Sequence, residues 1–233
     1  MPYRGLIAIG VALLAVGCSR EESPAPATGS SWRSSGAYGD GDYGGYGDGD
    51  LEITFLDEAP ANTTLEDGIT SLEFTRPDGE RVSLQDFVGE KDVVLVVTRG
   101  NTGAICPYCS TQTARLIKSY DDFARRDAEV VVVYPIETAS DSPKLDEFLA
   151  ASRKKLSDPN RPVPFPVLLD VQLQAIDRLG IRKNLSKPAT YIVDRTGEVR
   201  YAYVGSHLAD RPSVAALIRQ LEQLAGADTA PEA

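Results

Sequence analysis

Residues 93–109 read VVLVVTRGNTGAICPYC and join three local signals in one short segment. The continuous β-branched run at 93–97 is typical of a strand that is buried on both faces. A glycine-containing loop follows, and two cysteines separated by two residues then stand at the start of a helical pattern. Because two cysteines at this spacing can close a small disulfide ring and open it again, the segment predicts thiol redox chemistry.

The predicted helix start indicates which sulfur reacts first. Backbone N–H groups and the positive end of the helix dipole stabilise an anion there, and can lower a thiol pKa from about 8.5 to between roughly 3.5 and 7.5. We therefore predict that Cys106 is the attacking thiolate and that Cys109 resolves the intermediate. Pro107 suits the first helical turn, since that turn needs no N–H from it.

Two other interpretations of the cysteine pair stay open at this point. Half of a zinc site would need further Cys or His ligands, and the chain offers only Cys18 and His207. Two inert buried cysteines are the second alternative. The strand–loop–helix context favours redox chemistry over both, so we predict no metal site.

Residues 1–17 have the pattern of a signal peptide. Arg4 supplies a short positive region, and the apolar run at 6–16 is shorter than the roughly 20 residues of a membrane span. The run ends in LAVGC, which resembles the lipobox of bacterial lipoproteins, although Ala15 stands where leucine is usual. We predict lipidation of Cys18; the alternative is an ordinary cleaved leader with an incidental cysteine.

Residues 18–50 are predicted to form a lipid-anchored linker. Positions 36–50 contain little except Gly, Asp and Tyr, and offer almost no branched apolar side chains for a core. We therefore expect this segment to be disordered. A flexible coil of this length spans roughly 30 Å, enough to hold a folded domain clear of a membrane surface.

The folded domain is predicted at 51–226, followed by a polar tail at 227–233. Strands are expected at 69–74, 82–84, 93–97, 130–134, 167–169, 190–193 and 199–204, and helices after Cys109 and at 144–156, 172–179 and 212–224. The strand–helix–strand order around 93–134 implies parallel neighbours, whereas the hairpin near 194–197 is antiparallel. These elements predict an α/β fold with a central mixed sheet flanked by helices.

This order of elements resembles a thioredoxin-fold redoxin. The chain is more closely similar to the peroxiredoxin-like branch of the alkyl hydroperoxide reductase/thiol-specific antioxidant (AhpC/TSA) family, over about residues 51–224. The motifs that carry the resemblance are DG at 78–79 with VSL at 82–84, VLV at 94–96, RG at 99–100 with CPYC at 106–109, PFPVLLD at 164–170 and PATYIVDRTG at 188–197.

The resemblance implies that Pro188 is a cis-proline facing the two cysteines, where it presents a backbone edge to the substrate. Peroxidatic sites of this family carry Thr or Ser three residues before the cysteine and Pro seven before it. This chain has Gly103 and Arg99 at those places, and Thr102 is one position away. These departures make peroxide reduction the second choice.

Three further residues are expected to support the cysteine pair. Arg99 either stabilises the Cys106 thiolate or is a solvated loop residue, and Thr102 is close enough in sequence to reach the site. Tyr108, together with the proline before it, tunes the reduction potential.

The predicted function is a thiol–disulfide oxidoreductase acting on protein disulfides or thiols in the bacterial cell envelope, facing the periplasm and anchored by lipid. A thiol-dependent peroxidase is the alternative, and a non-catalytic or copper-binding thioredoxin-fold lipoprotein is the third. No bound cofactor is expected, but a redox partner must reset the pair. The net charge of −10 argues against nucleic-acid binding and against electrostatic membrane attachment.

Overall fold

The computed structural model describes residues 53–65 and 68–228; the predicted leader and linker, with Cys18, lie outside this part. The strands are β1 (Glu73–Thr75), β2 (Arg81–Ser83), β3 (Asp92–Val97), β4 (Ala128–Ile136), β5 (Val167–Val171), β6 (Ala189–Val193) and β7 (Val199–Val204). The helices are α1 (Pro107–Lys118), α2 (Tyr120–Ala124), α3 (Pro143–Arg153), α4 (Gln174–Arg178) and α5 (Val214–Asp228), and short 3₁₀ turns lie at Ile69–Ser71, Leu84–Phe87 and Ala139–Asp141.

The seven strands form one sheet in the order β2-β1-β5-β4-β3-β6-β7. β3 and β5 both run parallel to β4, as expected for strands joined through helices. The remaining pairs, β1–β2, β1–β5, β3–β6 and β6–β7, are antiparallel. The predicted α/β architecture with a central mixed sheet is therefore confirmed.

The central strand β3 is buried on both faces. Each residue from Val93 to Val97 is at most 1% exposed. Val94 and Val96 pack in the layer that contains side chains of α1, α3 and α5, whereas the alternate residues of β3 pack with α4 and two of the 3₁₀ turns. The continuous apolar run at 93–97 thus reflects a strand covered on both sides.

The strand predicted at 69–74 is wrong in its first half. Ile69–Ser71 forms a 3₁₀ turn after Gly68, whose φ is 110°, and only Glu73–Thr75 pairs as a strand. Arg178 on α4 holds this turn, since it donates hydrogen bonds to the Ser71 carbonyl at 2.9 Å and to the Gly68 carbonyl at 3.3 Å. A tertiary contact therefore overrides the local strand pattern.

Two loops leave the sheet at the same edge. Val97 at the end of β3 is opposite Ala189, and Ala189 is opposite Val204 at the end of β7. The loop after β3 leads to α1 and the loop after β7 leads to α5. The topology therefore brings two segments that are distant in sequence to one edge.

Each of these loops contains a glycine with no room for a side chain. Gly100 has a φ of 81°, and a Cβ there would lie 2.6 Å from the Pro135 carbonyl oxygen. A Cβ on Gly205 would lie 2.2 Å from the Asp210 carbonyl oxygen, and the Gly205 N–H donates to the Pro188 carbonyl at 2.8 Å. Both loops are thus packed tightly against neighbouring backbone.

No helix in residues 53–65 and 68–228 combines the length and the apolar composition needed to cross a bilayer.

Candidate active site

Cys106 caps the N-terminus of α1, as the sequence predicts. Its backbone is extended, Pro107 opens the helix, and its Sγ accepts the N–H of Cys109 at 3.4 Å. Both cysteines are free thiols, and both are buried, with Cys106 6% exposed and Cys109 1% exposed. Cys106 is therefore the cysteine that is more accessible to a reaction partner.

The Cys109 sulfur accepts two hydrogen bonds from outside its own helix. The backbone N–H of Arg99 approaches it to 3.4 Å, and Nη2 of Arg211 approaches it to 3.1 Å. Arg211 is only 1% exposed, and it also donates from Nη1 to Oε1 of Gln112 at 2.6 Å and from Nε to the Leu208 carbonyl at 2.7 Å. A buried cation therefore lies directly against the second cysteine.

Sequence reasoning missed Arg211. It lies 102 positions after Cys109, in the loop between β7 and α5, and no local motif marks it. The closest available signal is the tight Gly205 turn, which a sequence shows only as one glycine among 20.

The charges reverse the pKa order expected for the pair. Burial opposes ionisation of Cys109, but the hydrogen bond with Cys106, the Arg211 guanidinium and the Arg99 N–H outweigh it and lower the pKa of Cys109 to about 6. The hydrogen bond with Cys109, followed by burial, raises the pKa of Cys106. The expected low pKa of Cys106 is thus not what the structure shows, because the hydrogen bond with Cys109 and burial outweigh the attraction of Arg211, which contacts the other sulfur.

The predicted supporting residues differ in their burial and in their contacts with the two sulfurs. Arg99 is buried, at 7% exposed, so it is not a solvated loop residue, and its backbone N–H serves Cys109 rather than Cys106. Thr102 is exposed, and among the described residues it makes no hydrogen bond with either sulfur. Tyr108 is half-buried and packs on the apolar layer that contains both cysteines.

The expected cis-proline is not observed. No peptide bond within residues 53–65 and 68–228 is cis, so the bond before Pro188 is trans. The trans form is the lower-energy isomer, and here the neighbouring backbone is already paired, with Lys187 N–H donating to the Ile181 carbonyl at 2.8 Å. Pro188 is nevertheless near the site, because it lines a narrow cleft together with Gln112 and Arg211.

Comparison with known proteins adds three kinds of similarity. The model of the AhpC/TSA family matches residues 65–202, which is more than half of the chain. The thiol-disulfide oxidoreductase ResA of Halalkalibacterium halodurans is 27% identical over 128 residues, which make up 55% of this chain and 61% of that protein. The chain therefore spans about three fifths of the length of this curated relative.

Among solved structures, peroxiredoxin 6 of Arenicola marina has a TM-score of 0.57 at 16% identity, covering 72% of this chain and 76% of that one. The mitochondrial 2-Cys peroxiredoxin of Plasmodium falciparum has a TM-score of 0.53 at 19% identity, covering 76% and 98%. These likenesses concern the fold alone, and they confirm the predicted thioredoxin-like architecture. The family match, which includes the cysteine pair and covers more than half of the chain, shows that this chain belongs to the AhpC/TSA family.

Proposed function

We propose that this protein is a thiol–disulfide oxidoreductase whose Cys106 and Cys109 cycle between dithiol and disulfide. The observation that carries the proposal is the placement of two free cysteines at the N-terminus of α1, where the Cys106 sulfur accepts the N–H of Cys109 and the Cys109 sulfur accepts a hydrogen bond from Arg211. The similarity to a protein named thiol-disulfide oxidoreductase supports the same chemistry.

In this cycle one sulfur of the pair exchanges with a partner protein and the other completes the reaction. A mixed disulfide forms between the partner and the more accessible Cys106, and Cys109 then closes or opens the internal disulfide. The residues described here need no bound cofactor for this exchange, but a second thiol protein must return the pair to its starting state.

A thiol-dependent peroxidase is the second candidate, and family membership is the observation that favours it. A Cys106 thiolate would attack the peroxide, and the resulting sulfenic acid would condense with Cys109 to give the disulfide and water. We rank it second because Gly103 replaces the expected hydroxyl residue and Thr102 is exposed.

Stopped-flow measurement of the redox state of the two cysteines tests both candidates. The full chain carrying Cys18→Ser retains only the two cysteines of the site, so every change in thiol content of the protein reports on them. In one series the disulfide form of the protein receives a dithiol peptide, and in the other the reduced form, freed of reductant, receives hydrogen peroxide. We expect fast exchange with the peptide and slow reaction with peroxide.

Cys106→Ser and Cys109→Ser in the same background serve as controls, and neither should form an internal disulfide. Fast reaction with peroxide alone would move the protein to the peroxidase class. Slow reaction with both reagents would overturn the oxidoreductase proposal.

We also propose that the protein acts in the bacterial cell envelope, on the periplasmic side, attached through a lipid on Cys18. The support is the signal-peptide pattern and the lipobox-like LAVGC at 14–18. Fractionation of cells expressing the full chain should place the protein with membranes and Cys18→Ser in the soluble fraction. Tight membrane attachment of Cys18→Ser would contradict the lipid anchor.

A further inference from the structure

Arg211 carries a permanent charge and has no carboxylate partner in the described part of the chain. Its three hydrogen-bond acceptors are the Leu208 carbonyl, the Gln112 amide oxygen and the Cys109 sulfur. Within residues 53–65 and 68–228, no Asp or Glu lies within ion-pair distance of its guanidinium. A buried charge of this kind is costly unless an opposite charge compensates it.

The ionisable groups near Arg211 form no ion pair with it. The Asp210 carboxylate accepts hydrogen bonds from the Tyr203 hydroxyl and from the N–H of Ser206, and it is not within ion-pair distance of the guanidinium. The Tyr134 phenol near the sulfurs stays neutral, because burial followed by the charge of Cys109 raises its pKa. Among the described residues that accept a hydrogen bond from Arg211, Cys109 is therefore the one that can carry an opposite charge, and it does so only as a thiolate.

Formation of the Cys106–Cys109 disulfide removes this thiolate and leaves the buried guanidinium uncompensated. The reduced form is thus stabilised relative to the disulfide, which raises the reduction potential of a thiol pair. We propose that Arg211 is the fixed counter-ion of Cys109 and makes this pair an acceptor of electrons from dithiol proteins. This inference rests on the proposed dithiol–disulfide cycle and adds the direction of electron flow.

The exchange is balanced in atoms and charge. A thiolate of the substrate protein attacks Sγ of Cys106, the S–S bond breaks, and Cys109 leaves as a thiolate beside Arg211. A stabilised thiolate is the faster leaving group, which directs attack to Cys106. The second substrate thiol then passes its proton to Cys106 as it displaces this sulfur from the mixed disulfide. Two electrons move from the substrate dithiol, which becomes a disulfide, to the protein, which becomes a dithiol.

Equilibration of the full chain with glutathione tests the role of Arg211. In the Cys18→Ser background, the ratio of dithiol to disulfide is measured across mixtures of reduced and oxidised glutathione. We expect Arg211→Gln to lower the equilibrium constant for reduction ten- to hundredfold, which corresponds to about 30–60 mV for a two-electron couple. Arg211→Lys keeps the positive charge on a different side chain and should lower this equilibrium constant less than Arg211→Gln does.

A matched control is Arg178→Gln, which removes an exposed arginine that donates hydrogen bonds to the turn at 68–71 and not to either sulfur. Thiolate absorbance near 240 nm gives a second readout, and Arg211→Gln should move the titration of Cys109 toward that of an ordinary thiol. An unchanged equilibrium constant for Arg211→Gln would overturn this inference alone. If Arg211→Gln does not fold, Arg211→Lys provides the test. An equilibrium constant for reduction that is higher in Arg211→Lys than in the parent chain would overturn the inference.

The proposed cycle fails by a different outcome. If the parent chain forms no Cys106–Cys109 disulfide in any glutathione mixture, then the dithiol–disulfide function itself is wrong.

Discussion

The site is built from two segments. The role of the first follows from residues that are neighbours in sequence, whereas the role of the second depends on a contact with residues far away in sequence. Residues 93–109 carry both cysteines, and their strand–loop–helix pattern is complete within one stretch of chain. Residues 205–212 carry no redox group, yet they place Arg211 at 3.1 Å from the Cys109 sulfur. The comparison shows that the first segment provides the reactive pair and the second determines which sulfur holds the charge.

The largest expected effect comes from removing the anion that faces Arg211. Cys109→Ser should destabilise the reduced protein by about 3–5 kcal/mol, because it leaves the buried guanidinium without an opposite charge. Cys106→Ser removes a thiol that is not the counter-ion, and should cost about 1 kcal/mol or less. Urea unfolding at pH 8 in a reductant measures both. Equal losses for the two variants would contradict the unequal division of charge.

The same asymmetry predicts a pH-dependent stability of the reduced protein. The pKa of Cys109 is lowered to about 6 in the fold, from about 8.5 in an unfolded chain. The stabilisation is therefore complete above pH 8.5 and is lost as the pH falls toward 6, with a slope of roughly 1.4 kcal/mol per pH unit. Above pH 8.5 the raised pKa of Cys106 acts in the opposite direction.

Unfolding of the reduced protein at several pH values measures this slope. The disulfide form, which has no thiolate, is the control and should lack the slope between pH 6 and 8.5. Parallel curves for the two redox forms would show that neither thiol is ionised in this range.

Gly205→Ala tests whether the second segment depends on its tight turn. The added Cβ would lie 2.2 Å from the Asp210 carbonyl oxygen, so the backbone next to Arg211 must move. We expect a loss of about 2 kcal/mol in unfolding free energy, typical of overpacking, and a Cys109 pKa closer to the ordinary value. Thermal unfolding and absorbance at 240 nm measure these two effects.

Gly226→Ala in α5 is the matched control. A Cβ there meets nothing within 4 Å, and alanine favours a helix by about 0.5–1 kcal/mol over glycine. If both substitutions stabilise the protein, the close approach at Gly205 does not hold the loop.

The smallest effect is expected for Tyr134→Phe. The Tyr134 ring stacks on Phe148, but its buried hydroxyl has no hydrogen-bond partner in the described part of the chain. Removal of the hydroxyl should change the unfolding free energy by less than about 0.5 kcal/mol and leave the Cys109 titration in place. A large change in that titration would mean that Tyr134, and not Arg211 alone, governs the thiolate.

The sequence alone was sufficient for the features that depend on neighbouring residues. The β-branched run at 93–97 indicated a strand buried on both faces, and the strand–helix–strand order indicated the parallel pair β3–β4. Cys106, Pro107 and Cys109 indicated a cysteine pair at a helix start. Each of these inferences follows from periodicity, capping or spacing among residues that are close in sequence. A change in these local patterns would also change which side chains are buried.

The tertiary structure decided what depends on distant contacts. Arg178 converts the predicted start of the first strand into a 3₁₀ turn, and the backbone around Pro188 accommodates a trans peptide bond. Arg211 reaches Cys109 only because β3 and β7 end at the same sheet edge and Gly205 lets the following loop turn back. The redox pair is thus a local property of the sequence, whereas its charge distribution arises from electrostatics between residues about 100 positions apart.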